Sequence, residues 1–370
     1  MHSLHGIIFA YDAAPELKEL VEHRTSSSLP FGGRYRLIDF PLSAMVNAGI
    51  SDIGIIMQRG YQSLLDHLGS GRDWNLNRRA GGLRLLPPFG FADTQTGMYR
   101  SRMEALKSVY TYLTRIRQDH VILCRGDIAA NFPFEDMFRQ HIDSGAEVTI
   151  VCSSTPQLPL KFSSFVVPDR EGFTGDTVWD PIQPPNGYQS MEIYILSKEL
   201  LIEVVEHGNM HNLLNKGDLL QVMTEGRRSK VCIYDGYVAP ITSVEAYYKK
   251  SMELLDPFYR NQLFLSNRTI MTKERSDVST YYDSDARSKN CLVADGCYIM
   301  GDIENCILFR GVKVGKGSVL RNCVIMQDTV IQEHASLSHV ITDKNVTISP
   351  YVTLSSHQTY PITIGKNSVI

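Results

Sequence analysis

The sequence predicts two successive architectures, an α/β domain on a mostly parallel sheet and then a parallel β-helix. Two observations carry this. Up to about Ile150 short apolar runs alternate with amphipathic helical stretches, and beyond Arg287 that alternation gives way to a hexapeptide rhythm. A chain of 370 residues also exceeds what one ordinary core spans, so two domains are expected from length.

The apolar runs Gly6 to Ala10, Ile53 to Met57, Val121 to Cys124 and Val148 to Cys152 read as buried strands. Between them, Met103, Leu106, Val109, Tyr110 and Leu113 recur at helical spacing, which predicts a helix from Ser101 to Arg115. Strands alternating with helices make a sheet covered on both faces, and ligands of such sheets bind beyond the carboxyl ends of the strands. The segments to inspect are therefore Tyr11 to Phe31 and Arg125 to Ala130.

Five later segments share an aliphatic residue, a small one four positions on and an aliphatic two further. They are Val293/Cys297/Ile299, Val314/Ser318/Leu320, Ile331/Ala335/Leu337, Ile348/Val352/Leu354 and Ile364/Ser368/Ile370. Between them fall Cys306 to Leu308, Cys323 to Ile325 and Val340 to Thr342, which implies two to three short strands per coil. Gly315 to Ser318 fits a coil corner and lacks the spacing of a phosphate loop. The last segment stops on a strand without a polar cap, so assembly with another chain is expected.

Apolar residues make up 43% of the chain, charged residues 21%, and the formal net charge is −3. This composition excludes a basic nucleic-acid binder and gives no reason to expect an anionic membrane as partner. No apolar run approaches the roughly 20 residues of a membrane span, and the N-terminus lacks a signal-peptide core, so a cytoplasmic protein is expected. The seven cysteines contain no C-x-x-C pair and read as buried thiols. His207 and His211 bracket a Gly-Asn pair that argues for a loop, and no zinc site is assigned.

The stretch Phe31 to Ser43, continuing through Asn47 to Ile50, resembles the FGGKYRLIDFPLSN…NSGI signature of ADP-glucose pyrophosphorylases (glucose-1-phosphate adenylyltransferases). Tyr61, Ser63, Leu64, His67 and Leu68 follow in the family's order, as do Tyr99-Arg100, Gly126-Asp127, Ser190 to Tyr194 and Val244 to Tyr248. The resemblance implies a Rossmann-like, mixed-sheet nucleotidyltransferase domain of GT-A type over 1–250, a linker over 251–286 and a left-handed β-helix over 287–370. Members join glucose 1-phosphate to ATP, releasing pyrophosphate and forming ADP-glucose for glycogen or starch. The chemistry is in-line attack on a phosphorus, so catalysis consists of aligning two anions and neutralising charge between them.

The groups that the resemblance assigns to that task are replaced. Over Tyr11 to Leu29 the family's paired glycines become Tyr11 and Asp12, its third glycine Ala14, its Thr Pro15, its Arg Glu16 and its Lys Ser26, while Leu17, Leu20 and Arg24 survive. Glycines there admit backbone N–H groups to the phosphates, and Tyr and Asp obstruct them. Glu16 for Arg reverses a charge whose contact at 4 Å is worth roughly 4 kcal/mol at an effective dielectric of about 20. Of the two aspartates that hold Mg²⁺ in the family, one is Asp127 and the other falls on Pro240, which has no side-chain oxygen. The Lys that grips the sugar phosphate is Asp180. The glycine of SMGIY is Glu192, and the base-pocket motif RGTADA reads Arg100 to Ala105.

The framework survives while the cations and glycines that handle phosphate do not. The resemblance is thus to the non-catalytic, GlgD-type subunit, with no cofactor of its own and Mg²⁺ in a catalytic partner. The expected assembly is a hetero-oligomer, a tetramer, with a catalytic ADP-glucose pyrophosphorylase subunit. Arg34 stands where bacterial members carry a Lys for a phosphorylated effector, and Arg36 lies two positions on. Both are effector candidates, with surface ion pairing the plainer reading of each. Tyr99, Gly126 and Asp127 are the residual substrate-site candidates, Asp127 also the metal candidate, with a helix cap or turn as its plainer role. A divergent active nucleotidyltransferase and a sugar-nucleotide scaffold or hexapeptide acyltransferase are the alternatives. The acyltransferase would need a catalytic histidine, and His334 and His339 fit coil corners instead.

Overall fold

The computed structural model describes residues 4–11, 15–58, 60–88, 99, 101–155, 163–207 and 218–370. The nine-stranded sheet comprises β1 (Leu4–Phe9), β2 (Asp52–Ile56), β3 (Gly82–Leu86), β4 (His120–Arg125), β5 (Val148–Ser153), β6 (Ser164–Pro168), β7 (Thr174–Trp179), β8 (Tyr188–Ser197) and β9 (Ser229–Tyr234). Strands β3, β2, β1 and β4 run parallel in that order. Strand β8 is antiparallel to β4, β5 and β6, which makes the sheet mixed. The four predicted strands are present, and buried apolar clusters lie on both faces because residues of each strand alternate between them.

The predicted helix over 101–115 is two pieces, Arg102–Ser108 and Tyr110–Thr114. Ser101 caps the first by accepting from the Glu104 N–H at 3.1 Å, and Val109, at φ −106°, breaks the run. Met103, Leu106, Val109 and Leu113 are buried as the periodicity requires.

The C-terminal region is a parallel β-helix of three five-stranded sheets. Three strands per coil are observed: the sheet of Lys313–Val314, Val330–Ile331 and Thr347–Ile348, that of Val319–Arg321, Ser336–Ser338 and Thr353–Ser355, and that of Ile307–Leu308, Val324–Ile325 and Val340–Thr342. The register corrects two of the five expected segments. Val314, Ile331 and Ile348 align with Ile299, whereas Val293 and Ile364 stack with Leu308 and Thr342 on another face. The aliphatic-small-aliphatic motif starts on two different faces of the triangular coil, so spacing alone does not say which face a segment occupies. Corners take the left-handed conformation; His334 and His339 adopt φ of 58° and 55° there, and Asn290, Asn305 and Asn322 form a ladder with amide contacts of 2.8 and 3.2 Å.

The stretch 251–286 is structured. The helix Val244–Glu253 crosses position 250, the helix Pro257–Leu263 follows, and Tyr281–Tyr282 already pairs with Tyr298–Ile299 of the β-helix. One apolar cluster joins the two regions: Leu17, Leu20, Phe31, Tyr247 and Leu254 pack with Ile307, Phe309, Val324 and Ile341. The surviving leucines of the first loop are therefore core. All seven cysteines are free, and all but Cys291 are buried. His207 ends the helix Lys198–His207, and His211 lies outside the described residues. No helix among the described residues is long and apolar enough to cross a membrane.

Candidate functional site

The carboxyl ends of the parallel strands β1 and β4 meet the amino-terminal half of the antiparallel β8 at the expected place. Tyr11 follows β1 directly, and its side chain is turned into the protein, 7% exposed. Its ring packs edge-on against Tyr99 at 5.3 Å and Phe9 at 6.0 Å, and its hydroxyl lies 3.5 Å from the Ser101 carbonyl. Tyr11 thus lies against the segment that the resemblance assigns to the base. Asp12 and Ala14 fall outside the described residues. Glu16 is exposed on the 3-10 turn Pro15–Val21, whereas Ser26 is buried in the turn Ser26–Ser28.

Gly126 passes close beneath that turn. A Cβ there would meet Ser27 Oγ at 2.7 Å and the Phe9 carbonyl at 3.1 Å, so glycine is needed for the approach. Asp127, next along, is 2% exposed and receives Arg125 twice, Nε on Oδ1 at 2.6 Å and Nη2 on Oδ2 at 2.8 Å. Arg125 Nη1 also reaches Glu192 at 3.3 Å, and Arg102 is in tight contact with the same Glu192 carboxylate while lying over the Phe9 ring. Among the described residues two guanidiniums and two carboxylates meet in one buried network. Pairing of this kind is what makes burying four charges tolerable.

Glu192 is held there at a backbone cost. Its φ is 57°, the left-handed region that a glycine would occupy freely, at a bulge where the β8–β5 register shifts between Ser190 and Ile193. Ser190 Oγ accepts the Glu192 N–H at 3.1 Å. Asp180 is also left-handed, at φ 49°, and exposed. Pro240 is buried in a short ribbon, Val238–Pro240 against Ile128–Ala130, with Pro240 opposite Ile128. The chain therefore does bring the positions of Asp127 and Pro240 side by side.

The two effector candidates have different neighbours. Arg34 is exposed in the turn between the paired segments Pro30–Phe31 and Tyr35–Arg36, near enough to Arg310 of the β-helix for its charge to lower that group's pKa, secondary to burial. Arg36 is half-buried, so the surface reading does not describe it. Its Nη1 donates to Ser63 Oγ at 3.0 Å, and burial holds its pKa down to about 10. Lys344, from the β-helix, is pushed down to about 7 by burial and then by the Arg36 and Arg24 charges. Arg24 in turn is buried against Asp343. The sequence bounded a segment to inspect at Arg125 without giving that residue a role, and it did not mark Lys344, which has no local signal at all.

The family model for nucleotidyl transferases matches residues 6–256, and a GlmU-like C-terminal hexapeptide model matches residues 278–359. The glycogen biosynthesis protein GlgD of Bacillus subtilis is 34% identical over 98% of this chain and 96% of its own. The chain belongs to the ADP-glucose pyrophosphorylase family, on its GlgD-type branch. A second GlgD relative of that branch, from Geobacillus stearothermophilus, is 33% identical over 85% of the chain and 82% of its own length. The glucose-1-phosphate adenylyltransferase of Thermotoga neapolitana is 30% identical over 87% and 77%. Within that family frame the C-terminal region is a left-handed β-helix.

The residues present do not fit the Mg²⁺ that the family implies. Asp127 spends both oxygens on Arg125, and the neighbouring position is a proline. Among the described residues no three His, Cys, Asp or Glu side chains converge on one point. A hard divalent cation would have to displace a guanidinium from its bidentate partner, and the position opposite Ile128 offers it a proline in place of a carboxylate.

Proposed function

We propose that this chain is a regulatory subunit of a glucose-1-phosphate adenylyltransferase, acting in cytoplasmic glycogen biosynthesis without adenylyl transfer of its own. One observation carries the reading: the carboxylate of Asp127 is occupied by Arg125, beside a proline where the second carboxylate would stand. Tyr11 packed against Tyr99 supports it, since the phosphate loop begins with a core side chain. The catalytic partner supplies Mg²⁺ and forms ADP-glucose and pyrophosphate from ATP and glucose 1-phosphate. The two chains form a hetero-oligomer, a tetramer, and a phosphorylated metabolite acts on it through cationic groups of this chain.

Two clusters suit such an anion, Arg34 with Arg310, and Arg36 with Arg24 and Lys344. Crowded cations gain when an anion joins them. Coupling to the partner then works as a shift between shared conformations. Pyrophosphate release measured on this chain alone, on a catalytic homologue and on their mixture tests the reading. Trace activity alone and altered kinetics in the mixture are expected, with the effector response blunted by Arg34→Ala. Turnover by the pure chain comparable with the homologue's, or separate elution with indifferent kinetics, overturns it.

A further inference from the structure

The end of the sheet opposite the site just described carries a cavity of about 560 Å³. It lies at the amino ends of β1, β2, β3 and β4, where Leu4 pairs with His120 and Asp52 with Gly82. Four arginines line it: Arg79 and Arg84 from the approach to β3 and β3 itself, Arg115 and Arg117 from the turn before β4. All four are exposed, and none has an acidic side chain within 4 Å among the described residues. Like charges gathered without counter-charges repel one another, so a sheet end that needed only solubility would interleave acids.

The floor beneath them is built. His5, 1% exposed, shares a 2.8 Å hydrogen bond with the Tyr112 hydroxyl through Nε2. Tyr112 lies so close over the sheet that a Cβ on Gly54 would be 2.7 Å from its oxygen. Asp52, the acidic group in the lining, is held low, 3.9 Å from His5 Nδ1 and 3.5 Å from the Gln118 amide nitrogen. Burial first, against a smaller opposing effect of Asp52, holds the His5 pKa down to about 4, so the ring is neutral near pH 7. Among the described residues of the lining, four arginines stand against one carboxylate, Asp52.

We propose that this cavity binds a compact, multiply charged phosphate anion, at a site separate from the one at the carboxyl ends of the strands. Planar guanidiniums match phosphate oxygens in pairs, which a set of lysines would not do. The cavity's volume suits a small ligand. The site stands independently of the regulatory reading, because its residues touch neither Asp127 nor the Arg24–Lys344 cluster.

Calorimetric titration of the full chain with tripolyphosphate at low salt tests it. A saturable, salt-sensitive component is expected that Arg84→Ser with Arg115→Ser weakens roughly tenfold or more, whatever the Arg24–Lys344 cluster also takes up. The His5 ring resonances should move during the same titration in the wild type and stay still in the double variant. Since both arginines are exposed, unchanged circular dichroism and melting would show that the variant is folded. Absence of saturable binding, saturable binding that the double variant leaves unaffected with the His5 resonances unmoved, or binding of oligoglutamate in place of tripolyphosphate overturns the proposal.

Discussion

One nitrogen of Arg24, Nη2, lies 2.7 Å from each carboxylate oxygen of Asp343, joining the first loop of the sheet domain to the β-helix across 319 positions of sequence. Both side chains are buried. Removing one partner leaves a buried charge uncompensated, which typically costs roughly 3 to 5 kcal/mol. Arg24→Ala should therefore lower unfolding stability by about that amount in urea titration. Arg24→Ala with Asp343→Ala should cost less than the two single changes added together.

Lys344 beside that pair gives a pH-dependent outcome. Its folded pKa, about 7, lies below its unfolded value of 10.5, so the unfolded chain holds more protons between those limits and this group's contribution to stability rises with pH across that window. An anion bound among Arg24, Arg36 and Lys344 restores the charged amine. Binding of a phosphorylated effector there at pH 8 should take up a fraction of a proton, measured by calorimetry in buffers of different ionisation enthalpy. Lys344→Met should abolish the uptake, and it should vanish in the wild type well below pH 7.

Glu192 sets two effects against each other. Glycine would relieve a left-handed backbone worth about 1 kcal/mol. It would also strip Arg102 and Arg125 of their shared carboxylate, a loss of roughly 3 to 5 kcal/mol. The second is larger, so Glu192→Gly should lower the melting temperature. Adding Arg102→Thr should recover part of the loss by removing one of the two cations that shared the carboxylate.

Rebuilding the phosphate loop should fail as a route to activity. Tyr11→Gly, Asp12→Gly, Ala14→Gly, Glu16→Arg and Ser26→Lys together should raise ATP affinity without turnover, because Asp180 and Pro240 still lack the groups their positions require and catalytic groups act as a unit. Loss of the buried Tyr11 ring should also cost roughly 3 kcal/mol. Turnover rising well above background in a pyrophosphate-release assay would show that Asp180 and Pro240 have been misread.

Much of this was legible in the chain because it depends on neighbours in sequence. Strand runs such as Val148 to Cys152 and coils of two to three short strands follow from local periodicity, and the replacements at Tyr11, Glu16 and Pro240 are read one position at a time. Coil register was not legible, since Val293 and Val314 carry the same local motif on different faces. The half-burial of Arg36 was hidden too, because it depends on neighbours distant in sequence such as Ser63.

The sequence by itself determined the sheet and the stacked coils, which are properties of residue type and spacing, and its resemblance to the family marked the positions where phosphate-handling glycines and cations are replaced. Only the tertiary structure decided which charge each ionised side chain meets. Asp127 could be a metal ligand, a cap or half of an ion pair, and the Arg125 guanidinium laid along its two oxygens makes it the last. The reason is that burial and Coulomb attraction depend on distance in space, which folding sets between residues as far apart as Arg24 and Asp343.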